Sequence, residues 1–586
     1  MCGIYCSVSR LGQNTPSTAL KEQLQARGPD ASRTILIKTT PEDVAPYYLT
    51  LFSTVLSLRG SVPTEQPFQR IGPDSSLCWN GEAWSIRIQR PKGNDTSAVY
   101  ELLHSALVKT LESGETARVS ALNSARAVAN AMSLVAGPYA FVYYDQPSSR
   151  LFFGRDFLGR RSLLWKAHQD GSVTFSSISD RSEDGDWTEV EADGIYCIDL
   201  HQEIPHAQER VDHGIMWGSL HVIKVPYNFA NTADESCVSV IPQLSLSREV
   251  TQRSIPLDDE SPSVTSLETL LRSSIESRVL GIPEHPAQSE TTMTDSSPRL
   301  AILFSGGLDC TVLARLCHDI LPLGATIDLL NVAFQNPRAH KNAANGAYEL
   351  CPDRITGRAS YDELRRVCQQ RHWRFVAIDV PYIEYQDHRQ HVTELMYPHN
   401  TEMDLSIASA LYFAARGRGM TWSDDHDQRC SYTSDARVLL SGLGADELFA
   451  GYTRHATAYI RRGNEGLLDE LDLDVARLGK RNLGRDDRVI CHWAKEARFP
   501  FLDEALVQWA LSCPLMEKCD FGTLPVSDTC DQSTCASIES GKKVLRCLAW
   551  KLGMREVAKE KKRAIQFGAR TAKMETGKTK GTTVLS

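Results

Sequence analysis

The sequence predicts a mixed chain of two domains, a sheet-rich α+β domain followed by an α/β domain on a parallel sheet. Three observations carry that expectation. At 586 residues the chain exceeds what one hydrophobic core fills, since single cores stop growing near about 250–300 residues. Up to about Leu200, short apolar or alternating runs recur between turn signals, the pattern of many short strands. From Leu300 onward, fully apolar runs alternate with segments of helical spacing, which is how a doubly wound parallel sheet reads.

Taking the elements in order, Leu77-Cys78-Trp79, Tyr139 to Tyr144, Leu151-Phe152-Phe153 and Gly194 to Leu200 are the strand candidates of the first part. Gly171-Ser172 and Ala192-Asp193-Gly194 are turns, while Ala98–Leu111 and Ala121–Leu134 have helical spacing. Periodicity fades from His201 to about Pro262, the mark of a linker. A helix is expected over Val264–Leu280, from the spacing of Leu267, Leu270, Leu271, Ile275 and Val279. The polar stretch Pro283–Pro298 reads as a surface insertion. Leu300–Phe304, Ile327–Phe334, Phe375–Val380 and Val438–Leu440 are buried-strand runs, with a helix at Leu405–Ala415 among the segments between them. The polar end, Met574–Ser586, reads as a frayed tail.

Composition narrows the class of protein. With 42% hydrophobic and 23% charged residues the sequence is that of an ordinary globular protein. A net charge of −9 gives no reason to expect nucleic acid as a partner. The basic run Lys559–Arg563 can touch phosphates, although a solvated helix face is the plainer reading. No signal-like start is visible. The longest apolar stretch, Ala127–Tyr144, is broken by Asn130 and Gly137-Pro138, so no membrane partner is expected. A cytoplasmic address follows, and the 16 cysteines read as reduced thiols. Cys513, Cys519, Cys530 and Cys535 cluster at spacings that match no common zinc module.

The chemical signals begin at Cys2. If Met1 is removed, its thiol and a free α-amine share one residue, and an amine with a pKa near about 8 can serve as base at neutral pH. Arg27-Gly28-Pro29-Asp30, Asn80-Gly81-Glu82 and Asn94-Asp95 follow in order. An Asn-Gly pair directly after a strand can supply a side-chain amide and a backbone N–H as an oxyanion hole. It can equally be a hairpin turn, and Gly-Pro-Asp a structural one. In the second half, Leu300 to Cys310 reads as strand, Ser-Gly-Gly turn, then helix, a cradle for pyrophosphate. No Gly-Lys-Ser/Thr follows, so it is not a Walker A loop. Ser441-Gly442-Leu443-Gly444-Ala445-Asp446-Glu447 also follows an apolar strand.

With these residues in hand, the first part resembles the class II, N-terminal-nucleophile glutamine amidotransferases. The second resembles the PP-loop ATP pyrophosphatases, specifically the asparagine synthetases, whose motifs recur at Arg498–Asp503, Lys542–Arg546 and Lys562–Gly568. Val55–Gly60, Pro352–Arg354, Met403–Ala408, Gly444–Glu447, Asn482–Arg488 and Lys562–Arg570 carry a closer resemblance to the eukaryotic asparagine synthetase domain-containing proteins. The resemblance implies an N-terminal Ntn-hydrolase αββα sandwich and a C-terminal doubly wound sheet of the adenine-nucleotide α-hydrolase-like type. It implies an amidotransferase domain over 2–210, a linker over 211–262, a synthetase domain over 263–572 and a mobile tail over 573–586.

The resemblance further implies glutamine, aspartate and ATP as substrates and ligands, with Mg²⁺ as cofactor. Cys2 is then the nucleophile, Asn80 and Gly81 the oxyanion hole, and Glu82 and Asp95 the holders of the glutamine ammonium. ATP would contact Leu303, Ser305, Gly306, Gly307, Asp309, Cys310, Val332, Ser441 and Gly442, with Asp309 and Asp446 on the metal. Lys562 would stabilise charge during adenylation, and ammonia would travel by a water-excluding passage. Two positions depart from the pattern. Val55 stands where the family usually has an arginine for the glutamine carboxylate; Arg59, four residues on, faces the same side on strand geometry and is the candidate to bind glutamine in its place. Leu443 replaces a glutamate tied to activation, and leucine can neither accept a proton nor bind a cation. These departures leave two other readings open: the same chemistry on another carboxylic acid, or an impaired fold kept for interaction or regulation.

Overall fold

The computed structural model describes residues 2–39, 46–60, 62–70, 75–112, 120–180, 186–200, 214–217, 220–227, 239–249, 257–283, 299–339, 346–422, 428–522, 535, 538–574 and 580–585. The protein divides into two compact units. Residues 1–242, 393–399 and 478–494 form the first, and 243–392, 400–477 and 495–586 form the second. Two short segments from late in the sequence therefore complete the first unit, which sequence periodicity does not reveal.

The first unit holds strands β1 (Gly3–Ser9), β2 (Ala31–Lys38), β3 (Tyr48–Val55), β4 (Ser76–Gly81), β5 (Ser85–Ile86), β6 (Val135–Ala136), β7 (Tyr139–Asp145) and β8 (Arg150–Arg155). It continues with β9 (Leu164–Ala167), β10 (Val173–Ser176), β11 (Thr188–Glu189), β12 (Gly194–Asp199), β13 (Gly214–Trp217) and β14 (Leu220–Pro226). They form two six-stranded sheets, ordered β11-β9-β10-β1-β3-β2 and β13-β14-β12-β8-β7-β4, with β5 and β6 paired apart. The period of two along each strand makes the core. Ile4, Cys6 and Val8 of β1 meet Val142 and Tyr144 of β7 and Phe153 of β8 in one buried cluster fed by both sheets. Helix α1 (Thr18–Arg27) packs on β1 and β3, whereas α2 (Asp95–Glu112) and α3 (Ala121–Met132) pack on the other sheet. The hairpin of β13 and β14 falls where linker is expected from the sequence; β14 pairs with β12 and carries β13 at the sheet edge.

One buried ion pair ties α1 to a helix of the late segment, α11 (Leu483–Cys491), counted below. The Arg27 guanidinium, at the last residue of α1, donates to Asp487 at 2.8 Å with both side chains fully buried. The Ser162 N–H donates to the same carboxylate at 3.2 Å, and the Arg161 guanidinium lies 3.7 Å from it. The Arg-Gly-Pro-Asp stretch is thus structural at both ends, since Asp30 accepts from the Ser57 N–H at 2.7 Å.

The second unit is built on seven strands: β15 (Leu300–Leu303), β16 (Ile327–Phe334), β17 (Trp373–Val380), β18 (Arg418–Trp422), β19 (Arg429–Thr433), β20 (Val438–Leu440) and β21 (Glu496–Arg498). The order is β19-β18-β17-β16-β15-β20-β21. Pairing is parallel from β17 through to β21 and antiparallel for β18 and β19. The helices are α4 (Pro262–Val279), α5 (Leu308–Ile320), α6 (Pro352–Val367), α7 (Tyr382–Met396), α8 (Glu402–Arg416), α9 (Ala445–Leu448) and α10 (Thr453–Arg481), which breaks at Arg462-Gly463. After α11 come α12 (Glu504–Ser512) and α13 (Lys543–Lys551). Each strand expected here is present, β16 and β20 with the expected bounds, β15 one residue shorter and β17 two residues longer, and α4 and α8 fall within a few residues of theirs. The expected insertion at 283–298 lies almost wholly outside the described residues. The expectation of a frayed tail needs correction: Val584 bridges Thr401, and Glu402 donates to the Thr583 carbonyl at 3.0 Å. Backbone pairing with the start of α8 gives the described tail residues an ordered place. Among the described residues no helix is long and apolar enough to cross a membrane.

Asp487→Ala should destabilise the first unit by about 3–5 kcal/mol, because Arg27 is left charged and buried without its partner. Urea unfolding followed by tryptophan fluorescence checks this, with a fall in the transition midpoint as the expected result.

Candidate functional site

The first site forms where β1 begins and β4 ends. Cys2 is buried, with 7% of its surface exposed. Its backbone N donates to Asn80 Oδ1 at 3.1 Å. Asn80 Nδ2 is buried without a hydrogen-bond partner among the described residues, so an amide donor is held ready beside the thiol. Gly81 follows at the end of β4, opposite Tyr139 of β7. Gln66, absent from the sequence-derived set, reaches the centre: its Nε2 donates to Cys2 Sγ at 3.6 Å and to Thr96 Oγ1 at 3.3 Å. Its Oε1 accepts from the Trp79 N–H at 2.7 Å, which fixes the amide's direction. Nothing in the spacing around Gln66-Pro67 marks it apart from an ordinary turn.

The acidic notch lies close by. Asp95 starts α2, and its Oδ2 accepts from the Ala83 N–H at 2.8 Å and Trp79 Nε1 at 3.1 Å. Burial pushes the Asp95 carboxyl up, while the Arg59 charge and these hydrogen bonds oppose it. Arg59 Nη2 pairs with Glu82 at 3.0 Å, and Nη1 donates to the Ala83 carbonyl at 3.3 Å. β3 ends at Val55, so strand alternation does not extend to Arg59. Arg59 nevertheless arrives at the notch, and its partner there is a carboxylate of the protein.

The second site follows from sheet order. The backbone runs from β15 outward through β16 to β17, then returns to place β20 on the other side of β15. Ligands of such sheets bind where strand order reverses, beyond the strand C-termini. Ser305-Gly306-Gly307 leaves β15 there, and Ser441-Gly442 leaves β20. Gly306 has φ +79°, and a Cβ on it would come within 2.4 Å of the Gly357 backbone in α6. Only glycine fits. Cys310, one turn into α5, points its thiol at the Gly307 carbonyl at 3.3 Å, and burial raises its pKa.

Lys542, which the sequence reading quoted only within a motif, stands at the centre. Its Nζ donates to Asp309 Oδ1 and Oδ2 at 2.8 and 2.9 Å and lies 2.8 Å from Asp446 Oδ1. Lys562 also pairs with Asp446. Burial favours neutral forms here, yet the two lysines hold the Asp446 carboxyl well below the usual range, and the two carboxylates hold Lys542 above its own. Gly451 makes room: a Cβ there would lie 2.0 Å from Asp446 Oδ1 and 2.8 Å from Lys542 Cε. Leu443, half-buried in the loop after β20, brings no charge; its N–H donates to Ser441 Oγ at 3.3 Å.

These loops line an open pocket whose walls include Ser305, Gly307, Asp309, Asp353, Lys542, Lys562 and Arg563. From Glu560 to Ala564 the basic run is not helical, and although Lys561 and Arg563 are exposed, it lines this pocket. Arg546 donates to the Ala558 and Glu560 carbonyls at 2.7 and 2.8 Å, which fixes the backbone that carries Lys562 to Asp446. Leu303 and Val332 sit on the adjoining strands β15 and β16. Asp353, at the start of α6, is a further carboxyl of the pocket, 4.0 Å from Arg563. Burial raises it to about 7 against the pull of Arg563 and Lys562.

Two carboxylates facing a phosphate-sized, lysine-lined space fit Mg²⁺ arriving with ATP, since this ion is commonly held by one or two carboxylates plus phosphate oxygens and water. Among the described residues no cluster of three or more potential ligands forms a metal cage of protein alone. That includes the Cys513 and Cys519 region; Cys530 lies outside the described residues.

Comparison with known proteins bears on both parts of the chain. Residues 1–184 match the glutamine amidotransferase domain family, and residues 430–473 and 462–581 match the asparagine synthase family. Asparagine synthetase domain-containing protein 1 of Bos taurus is 34% identical over 98% of this chain and 96% of its own. The chain belongs to the asparagine synthetase domain-containing protein family. A member from Saccharomyces cerevisiae is 32% identical over 96% of this chain and 90% of its own length. A putative glutamine-hydrolysing asparagine synthetase of Methanocaldococcus jannaschii is 52% identical over 82 residues, 14% of this chain and 15% of its own.

The pocket carboxyl Asp353 should show in stability. A folded-state pKa raised to about 7 gives a contribution present below about pH 4 and lost as pH rises through about 7. Asp353→Asn should therefore gain on the wild type by up to about 4 kcal/mol between pH 4 and pH 7. Paired thermal unfolding curves across that range check it; parallel curves would contradict it.

Proposed function

We propose that this protein transfers nitrogen from the side-chain amide of glutamine to a carboxylate activated by ATP, with aspartate as acceptor and asparagine as product. The observation that carries the reading is Asn80, which accepts from the Cys2 N with one end and offers an unpartnered buried N–H with the other. On this reading the first unit is an N-terminal-nucleophile αββα hydrolase and the second an adenine-nucleotide α-hydrolase-like sheet.

Removal of Met1 would turn the Cys2 nitrogen into an α-amine that takes the thiol proton. The thiolate adds to the amide carbon, Asn80 Nδ2 and the Gly81 N–H receive the oxyanion, the C–N bond breaks, and ammonia leaves with that proton. Water then splits the thioester, giving glutamate and the free thiol. In the second unit, Ser305 to Gly307 and Ser441-Gly442 would cradle the ATP phosphates, and Asp309 and Asp446 would hold Mg²⁺, which would neutralise phosphate charge. The β-carboxylate of aspartate attacks the α-phosphorus, pyrophosphate leaves among Lys542, Lys562 and Arg563, and ammonia displaces AMP from the acyl-adenylate. The uncharged Leu443 favours, as second reading, a carboxylic acid other than aspartate.

Purified protein given glutamine, aspartate, ATP and Mg²⁺ should form asparagine and AMP in equal amounts, measured by mass spectrometry. Cys2→Ala should abolish the glutamine-dependent reaction, by about 10³-fold or more, and leave the ammonia-dependent one intact. AMP formed only with another acid would favour the second reading. ATP left uncleaved under saturating ammonia would contradict both.

A further inference from the structure

The acidic notch beside Cys2 is occupied by the protein's own cation. Arg59 is 14% exposed and Glu82 7%, so their 3.0 Å contact is largely shielded from solvent. The guanidinium also donates to the Ala83 carbonyl, which anchors it on two sides. Asp95 is close enough to feel its charge, and Asp95 Oδ2 already receives two N–H donors. An ammonium needs three acceptors and tolerates no neighbouring cation. With Arg59 in place, Glu82 is already neutralised, and an incoming α-ammonium would stand beside a guanidinium in a shielded recess.

We propose that Arg59 is a specificity residue that fills the ammonium position, so that the Cys2 pocket takes a glutamine amide whose α-nitrogen is uncharged. An Nα-acylated glutamine, or a glutamine within a peptide, has that chemistry. The inference deepens the proposed amide hydrolysis and rests on it for the fate of the donor. The bonds made and broken are unchanged: the amide C–N bond of the glutamine side group breaks, ammonia leaves and water regenerates the thiol.

Binding separates this assignment from catalysis. Titration calorimetry on the full-length Cys2→Ala protein compares L-glutamine with Nα-acetyl-L-glutamine. The acetylated compound is expected to bind at least tenfold more tightly. Adding Arg59→Leu, or Arg59→Gln should the leucine variant fail to fold, is expected to reverse that order by freeing Glu82. Adding Arg59→Lys is expected to keep it. Equal or tighter binding of free glutamine by the Arg59 protein, or its loss on Arg59→Leu, would overturn the assignment and make Arg59 a carboxylate clamp. Binding of neither compound would overturn both assignment and hydrolysis. Tighter binding of the acetylated compound with no ammonia released by the Cys2 protein would overturn hydrolysis alone.

Discussion

The lysine bridge between Asp309 and Asp446 is the constraint on which the pocket of the second unit depends. Two carboxylates this close would repel one another, and one would take up a proton unless a cation stood between them. Lys542 supplies that cation from a separate element, with a non-glycine residue held at φ +54° just before α13. Gly451 clears the space it needs, Lys562 adds a second cation on Asp446, and Arg546 fixes the backbone that carries Lys562 there. The site is thus pre-charged with lysines where a polyphosphate would bring negative charge. Lysine can also yield the carboxylates to a divalent ion, because its flexible stem swings more readily than a planar arginine fork.

The first unit uses arginine for the opposite purpose, to fix positions. Arg27 against Asp487 joins α1, just behind the Cys2 strand, to a helix from late in the sequence. Both side chains are fully buried, so the pair contributes orientation more than net stability. Arg59 against Glu82 is a pair of the same kind at the notch beside Cys2. Burial of ions in fixed partnership is costly, and its presence at these places marks where geometry matters.

Much of this was legible in the sequence, for local reasons. The apolar runs at Ile327–Phe334 and Val438–Leu440 are strands because residues buried on both faces need no alternation. The Ser-Gly-Gly turn after β15 was readable because φ +79° at Gly306 admits little else. Asn80-Gly81 was readable as a possible oxyanion hole for its place after a strand. What escaped was long-range. Lys542 lies 233 residues from Asp309, and Asp487 lies 460 from Arg27, so no spacing rule joins them. Arg59 was expected near the substrate on strand alternation; the strand stops at Val55, and the attraction of Glu82 brings the guanidinium in. The tail, polar in composition, is ordered by backbone hydrogen bonds that composition does not report.

The central claim is that the lysine-bridged pocket forms an acyl-adenylate, which requires a carboxylate oxygen to end on AMP. The most direct measurement supplies aspartate labelled with ¹⁸O in its β-carboxylate, together with Mg-ATP and ammonia, and weighs the nucleotide product. One ¹⁸O atom in AMP is the result this account predicts. Label appearing in inorganic phosphate, with ADP as the nucleotide, would contradict it.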